Sequence, residues 1–244
     1  VKKHDPYDHI VTTHWMLAYT QINAEVASVP ELDMLTTDAY YLNRHYGVAR
    51  CLRLIRDGTA FGQNFDKPLV ITEFGGSPHA DSLGNLLKQA HAGIWQGFFC
   101  NAPVVPLFWW FGLSDERNLY GSTKALATFA DGEDRRALGN PRSVRRNWHL
   151  VHTLQNRERL LAWIMDTRYY YSDRENRTAR LNEDVALDYS RLAPGPRRLL
   201  VINPHDGEVV LDRRFTVPET GSGRLLLPSF QKDVAAKIIP VEGD

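Results

Sequence analysis

The chain has 244 residues, and its 29 basic and 29 acidic side chains balance to a formal net charge of zero. Its 43% apolar and 24% charged content is that of an ordinary globular protein, which excludes a disordered or fibrous chain. Zero net charge argues against a nucleic-acid partner, because such a surface needs clustered cations to displace counterions.

No stretch reaches the ~18 apolar residues that span a bilayer, so no membrane partner is expected. Residues 1–6 contain no apolar signal core and read as sequence from the middle of a protein. Cys51 and Cys100 sit among apolar neighbours and read as buried thiols. The basic run from Arg142 to Arg146 reads as a solvated helix face.

Taken in chain order, residues 9–14 (HIVTTH) predict a short buried strand and residues 15–27 a helical stretch. Residues 32–37 predict a second strand. Val48, Cys51, Leu52 and Ile55 fall at helical spacing, and Gly58 is placed to stop that helix. Residues 69–73 (LVITE), entered through Pro68, predict a third strand. Leu83, Leu86, Leu87, Ala90 and Ile94 mark another helix, and residues 104–110 (VVPLFWW) predict a fourth strand. Asn140-Pro141 looks like a cap with proline in the first turn, which predicts a last helix through Val144, Trp148 and Val151. Four successive strand–helix units imply a parallel sheet covered by helices.

The pattern changes near Arg159. Short apolar runs at 162–171, 185–189, 198–203, 208–217, 224–227 and 234–240 are separated by Pro, Gly and Asp-Gly signals. That spacing predicts a small antiparallel β-sandwich over residues 159–244, behind an α/β domain over residues 1–158.

The chemistry gathers at the predicted strand ends. Glu73 closes an apolar strand and is followed by Phe74-Gly75-Gly76, where glycines let the chain turn away. In a parallel barrel that end carries the active site. The bland alternative is an acid that caps a helix or meets an arginine. The other strand ends supply His14 and Trp15, then Asp38, Tyr40 and Tyr41, then Trp109 and Trp110. Aromatic faces can cover the apolar patches of sugar rings while acids and imidazole bind hydroxyls. Side-chain alternation predicts that one of Trp109 and Trp110 is core. Tyr41 reads as packing, and His14 has the alternative of bonding a loop carbonyl.

These phrases in this order resemble the second half of a clan-A retaining glycoside hydrolase barrel, similar to family 5 and its relatives, over roughly residues 5–157. The resemblance implies an α/β fold: the second half of a (β/α)8 TIM barrel, followed by a small all-β sandwich. It implies that Glu73 is the nucleophile and that Tyr40 hydrogen-bonds and orients it. Asp38 stands where the family has a His. His14, Asp38, Trp109 and Trp110 are the implied substrate-binding residues, and the implied substrate is a β-linked polysaccharide or oligosaccharide. By the same resemblance the protein is expected to be secreted or periplasmic.

Retaining hydrolysis needs a second carboxyl group, which the family carries on the preceding strand. No Asn-Glu pair suits that position here, since Asn23-Ala24-Glu25 reads as helical and Asn182-Glu183 lies beyond the barrel. The acid/base is therefore expected outside the chain, on the N-terminal half of the barrel, as an upstream segment or a separate polypeptide. No cofactor or metal is expected: the histidines lack ligand spacing, and neither a P-loop nor a serine elbow occurs. The alternative reading is a non-catalytic carbohydrate-binding protein on a decayed hydrolase barrel.

Overall fold

A computed structural model describes residues 2–41, 47–76, 81–172 and 178–241. The chain divides into two compact units, Val1–Asn118 and Leu119–Asp244.

The first unit is built on three parallel strands in the order β1-β2-β3: β1 (Thr12–Trp15), β2 (Met34–Tyr40) and β3 (Leu69–Gly75). Between β1 and β2 lies α1 (Ala24–Ala27), capped by the Asn23 side chain. Helices α2 (Gly47–Gly62) and α3 (Leu83–Phe99) follow β2 and β3 and pack against each other and the sheet. The second strand is buried from Leu35 to Ala39, as a strand covered on both faces must be. Val48, Cys51, Leu52 and Ile55 form the inner stripe of α2. Close approach of α3 depends on Gly93, where a methyl would lie 2.1 Å from Phe74 Cε2.

Three expectations change in this unit. Of the stretch expected to be helical over residues 15–27, Trp15 ends β1 and the rest holds only a 3₁₀ turn and the four-residue α1, because Leu17 takes a left-handed conformation and Ala18 is extended. Gly58 does not end α2; it lies inside the helix against Ile71, and the helix continues to Gly62. Residues 104–110 form no regular strand. Phe108 makes a single parallel bridge to Phe74, and Pro106 lacks the N–H that a longer ladder would need. A short helix, α4 (Phe111–Glu116), follows.

The second unit opens with α5 (Tyr120–Ala130). Strands β4 (Arg142–Arg146), β5 (His149–Gln155) and β6 (Leu160–Asp166) come next, then α6 (Thr167–Tyr170). Seven more strands complete it: β7 (Leu181–Asn182), β8 (Ala186–Tyr189), β9 (Gly195–Ile202), β10 (Val209–Val217), β11 (Gly223–Leu226), β12 (Phe230–Gln231) and β13 (Asp233–Pro240). Among the described residues, six of the ten strands β4–β13 form one antiparallel sheet in the order β10-β9-β13-β6-β5-β4, while β11 pairs with β8 and β12 with β7. Leu160, Ala162 and Ile164 share a core with Leu199, Val201, Ala236 and Ile238 of the same sheet and with Leu187, Leu225 and Phe230 of the smaller ribbons. Their i, i+2 spacing is that of one strand face.

The helix expected from Asn140 through Val151 is instead the β4–β5 hairpin. Its Val144 and Val151 are cross-strand partners, so a spacing that fits a helix arises from pairing across a turn. Asn147, at φ 52, supplies the left-handed residue that a two-residue hairpin turn requires. The antiparallel sheet thus begins at Arg142, and residue 158, where the sequence pattern changes, lies in the turn between the paired strands β5 and β6.

Candidate active site

The C-terminal ends of parallel strands are where loops open and ligands bind. In the first unit those ends carry His14, Asp38, Tyr40 and Glu73. What brings their side chains together is a bulge. Thr37 pairs with Ile71, but Asp38 pairs with Glu73, so Thr72 is an extra residue in β3. A bulge of this kind bends the strand and re-aims the side chains after it. Thr72 and Glu73, neighbours in sequence, both reach residues of the face that Asp38 and Tyr40 share.

The Tyr40 hydroxyl donates to Glu73 Oε2 at 2.7 Å. Burial, and next the bond to Glu73, push the Tyr40 phenol well above its ordinary pKa. It therefore stays protonated and stays a donor. Asp38 is buried, and its Oδ1 lies 2.9 Å from His14 Nε2 and 2.9 Å from Thr72 Oγ1. Thr72 Oγ1 is also 3.1 Å from His14 Nε2. Asp38 is thus engaged by its neighbours and sets the position of the half-exposed imidazole, while Glu73 remains partly open.

Behind Glu73 the chain turns at Gly75, whose φ of 139° is open to glycine alone. The next residue is fastened from within. Gly76 N–H donates to Gln89 Oε1 at 2.6 Å, and Gln89 Nε2 donates to the Tyr41 hydroxyl at 2.6 Å. That hydroxyl donates in turn to Asp81 Oδ2 at 2.9 Å. Burial pushes the Tyr41 phenol upward, so this relay also holds its protons. Tyr41 is therefore a packing and positioning residue of the turn.

Trp110 reaches the same turn, donating its indole N–H to Gly76 O at 2.5 Å. Both Trp109 and Trp110 line a cavity of about 510 Å³ with Phe111, Leu83 and Leu86. Neither indole belongs to the core: Trp109 is 38% exposed and Trp110 is half-buried. Strand alternation fails there because the chain leaves the sheet after Phe108. The cavity flanks Glu73 without including it among its lining residues, and Trp110 links the two through Gly76.

No protein-family pattern matches the sequence, and no curated protein is similar to it by sequence. Solved structures are similar in shape. A structure described as a glycoside hydrolase aligns with 97% of this chain at a TM-score of 0.54 and 14% identity. In fold, the chain resembles part of that glycoside hydrolase. A family 5 glycoside hydrolase from Bacteroides vulgatus aligns over 95% of the chain with a TM-score of 0.53 and 13% identity. A GH30 endoxylanase from Clostridium papyrosolvens does so over 95% with a TM-score of 0.52 and 9% identity. The chain spans little more than half of these glycoside hydrolases, 58%, 55% and 56% of their respective lengths.

Proposed function

We propose that the chain carries the nucleophile half of a retaining glycoside hydrolase acting on β-linked polysaccharide or oligosaccharide. The observation that carries this reading is the Tyr40–Glu73 pair at 2.7 Å on adjacent parallel strand ends, within a glycoside hydrolase fold. The carboxylate of Glu73 attacks the anomeric carbon as the glycosidic C–O bond breaks, giving a glycosyl ester on Glu73. An acid protonates the departing oxygen, and its conjugate base then deprotonates the water that cleaves the ester. Tyr40 holds Glu73 in place and keeps a donor on Oε2, leaving Oε1 to react. His14 and Asp38 bind hydroxyls, and Trp109 and Trp110 offer faces for a sugar ring.

The acid/base comes, in this proposal, from outside the chain. Asp38 is buried and already bonded to Thr72 and His14, so it is poorly placed to serve. Among the described residues, β1 pairs on one side only, and Ile10 and Met16 beside it are 71% and 71% exposed. About four further strands and helices, on an upstream segment or a separate polypeptide, would pair with that edge and close an eight-stranded barrel. They would bring a Glu to the ~5–5.5 Å carboxyl spacing of retaining enzymes. The second unit would then be a β-sandwich appended to the barrel, and the protein is proposed to work outside the cytoplasm.

The test uses the completed barrel: NMR of the first-formed product from a β-linked oligosaccharide should find the β-anomer. Release of the α-anomer would overturn the retaining mechanism. Binding of the oligosaccharide with no turnover would establish the carbohydrate-binding reading instead.

A further inference from the structure

The second unit carries a polar groove that the proposed chemistry does not use. It lies where β4 and β5 meet the turns after β5 and β8. A cavity of about 330 Å³ is lined there by Arg142, Arg157 and Arg191, with Asn140, Thr153 and Ser190 among its other polar groups. That is the size of a small-ligand site and larger than a single ion requires. An adjoining cavity of about 310 Å³ shares Arg142, Thr153 and Ser190 and continues the groove along the hairpin over Val144 and Val151.

Three features set these arginines apart from ordinary surface charges. First, the carboxylates nearby are engaged by other cations. Glu158 bonds Arg197, Asp188 bonds Arg146 and Arg224, and Glu133 bonds Arg159 and Lys237. Among the described residues, Arg142, Arg157 and Arg191 make no ion pair. Second, their backbones are fixed. Arg142 is paired with Thr153 across the hairpin. The turns that carry Arg157 and Arg191 are joined by Ala193 N–H donating to Arg157 O at 2.6 Å and by Gln155 Nε2 donating to Ser190 O. Third, Arg191 sits at φ 63, a left-handed conformation that a non-glycine residue adopts at a cost and that recurs at ligand clamps.

We infer that this groove binds an acidic glycan, with the guanidinium groups taking uronate carboxylates. Guanidinium matches a carboxylate in paired hydrogen bonds. The hydroxyls of Thr153 and Ser190 and the amide of Asn140 suit the ring hydroxyls between the charges. A bare phosphate would leave most of the cavity unfilled, and the zero net charge of the chain does not favour a nucleic acid. The site concerns binding alone and stands whether or not Glu73 is a nucleophile.

The experiment is affinity electrophoresis of the full-length protein through gels containing glucuronoxylan, polygalacturonate, neutral arabinoxylan or dextran sulfate, which is anionic but has no carboxylate, at physiological salt. The two uronate polymers should retard the protein and arabinoxylan should not. Arg157→Gln with Arg191→Gln should weaken retardation about tenfold or more. Arg214→Gln, an exposed change on β10, should leave it intact. Arg191→Gly relieves the left-handed strain, so it should melt no lower than the parent yet bind more weakly. Equal retardation by arabinoxylan, retardation by dextran sulfate as strong as by the uronates, no retardation at all, or full binding by Arg191→Gly would each overturn the inference.

Discussion

Two carboxylates, one in each unit, are held in opposite ways. Asp233, at the start of β13, is buried and accepts from Trp163 Nε1 at 2.8 Å, the Tyr170 hydroxyl at 2.9 Å and His205 Nε2 at 3.0 Å. These donors come from β6, α6 and the turn after β9, so one side chain ties three elements together. Among the described residues, Glu73 accepts from a single donor, Tyr40, and it stays partly open. Both of the Asp233 oxygens are occupied. Only one of the Glu73 oxygens is bonded among the described residues, and a nucleophile needs the other. A carboxylate saturated by donors acts as a fastener, whereas one held from a single side keeps a lone pair for chemistry.

The comparison breaks most sharply if Glu73 proves dispensable. In the proposed complete barrel, Glu73→Ala should lower turnover on the order of 10⁵-fold or more, as loss of a catalytic nucleophile does. Azide should restore a product of inverted configuration, and the melting temperature should barely move. Near-parental turnover would end the nucleophile assignment. Asp233→Ala should do the reverse. It strands the Trp163 and Tyr170 donors in the interior and should cost about 3 kcal/mol or more in urea unfolding. A loss below about 1 kcal/mol would mean that Asp233 is not the fastener described.

Smaller effects sharpen the contrast. Tyr40→Phe removes the Tyr40 donor to Glu73 and should lower kcat about 10- to 100-fold, as loss of a positioning group does, with stability nearly unchanged. Equal kcat for the variant and the parent would show that Glu73 needs no such support. Asp166 gives a pH-dependent counterpart. Burial works to raise its pKa, but the hydrogen bonds from Arg168 outweigh burial and hold the carboxyl below the ordinary aspartate value of 3.8. A depressed folded pKa contributes stability that is fully present above pH 3.8 and is lost as the pH falls through the folded value. Asp166→Asn should therefore flatten acid denaturation below about pH 4 and leave activity alone. An unchanged acid limb would discount the Arg168 pair.

Much of this was legible in the sequence. The strand–helix alternation, the acid before Gly75-Gly76 and the Asp-x-Tyr phrase placed Tyr40 and Glu73 on neighbouring strand ends without coordinates. Those signals are local, and local spacing survives folding. What escaped depends on pairing across distance. The helix expected over residues 140–151 rested on Val144, Trp148 and Val151, a spacing that a hairpin reproduces when two of them face each other. Thr72 escaped for the opposite reason: strict alternation places it on the face away from Glu73, and only the bulge moves it to the same side. Gln89 and Asp81 escaped because an α3 residue and a loop residue acquire meaning only once Tyr41 lies between them.

The bulge also bears on how such a site changes over time. In a regular strand, moving an acid by one position turns it from the cleft to the helix layer, so the intermediate sequence loses its function. At the end of β3, two consecutive positions already look into the same cleft. A side chain at Thr72 enters the cleft beside Asp38 and His14, one residue from Glu73. The irregular residue thus gives the strand end a spare address, one from which a new side chain can be tried before the old one is given up.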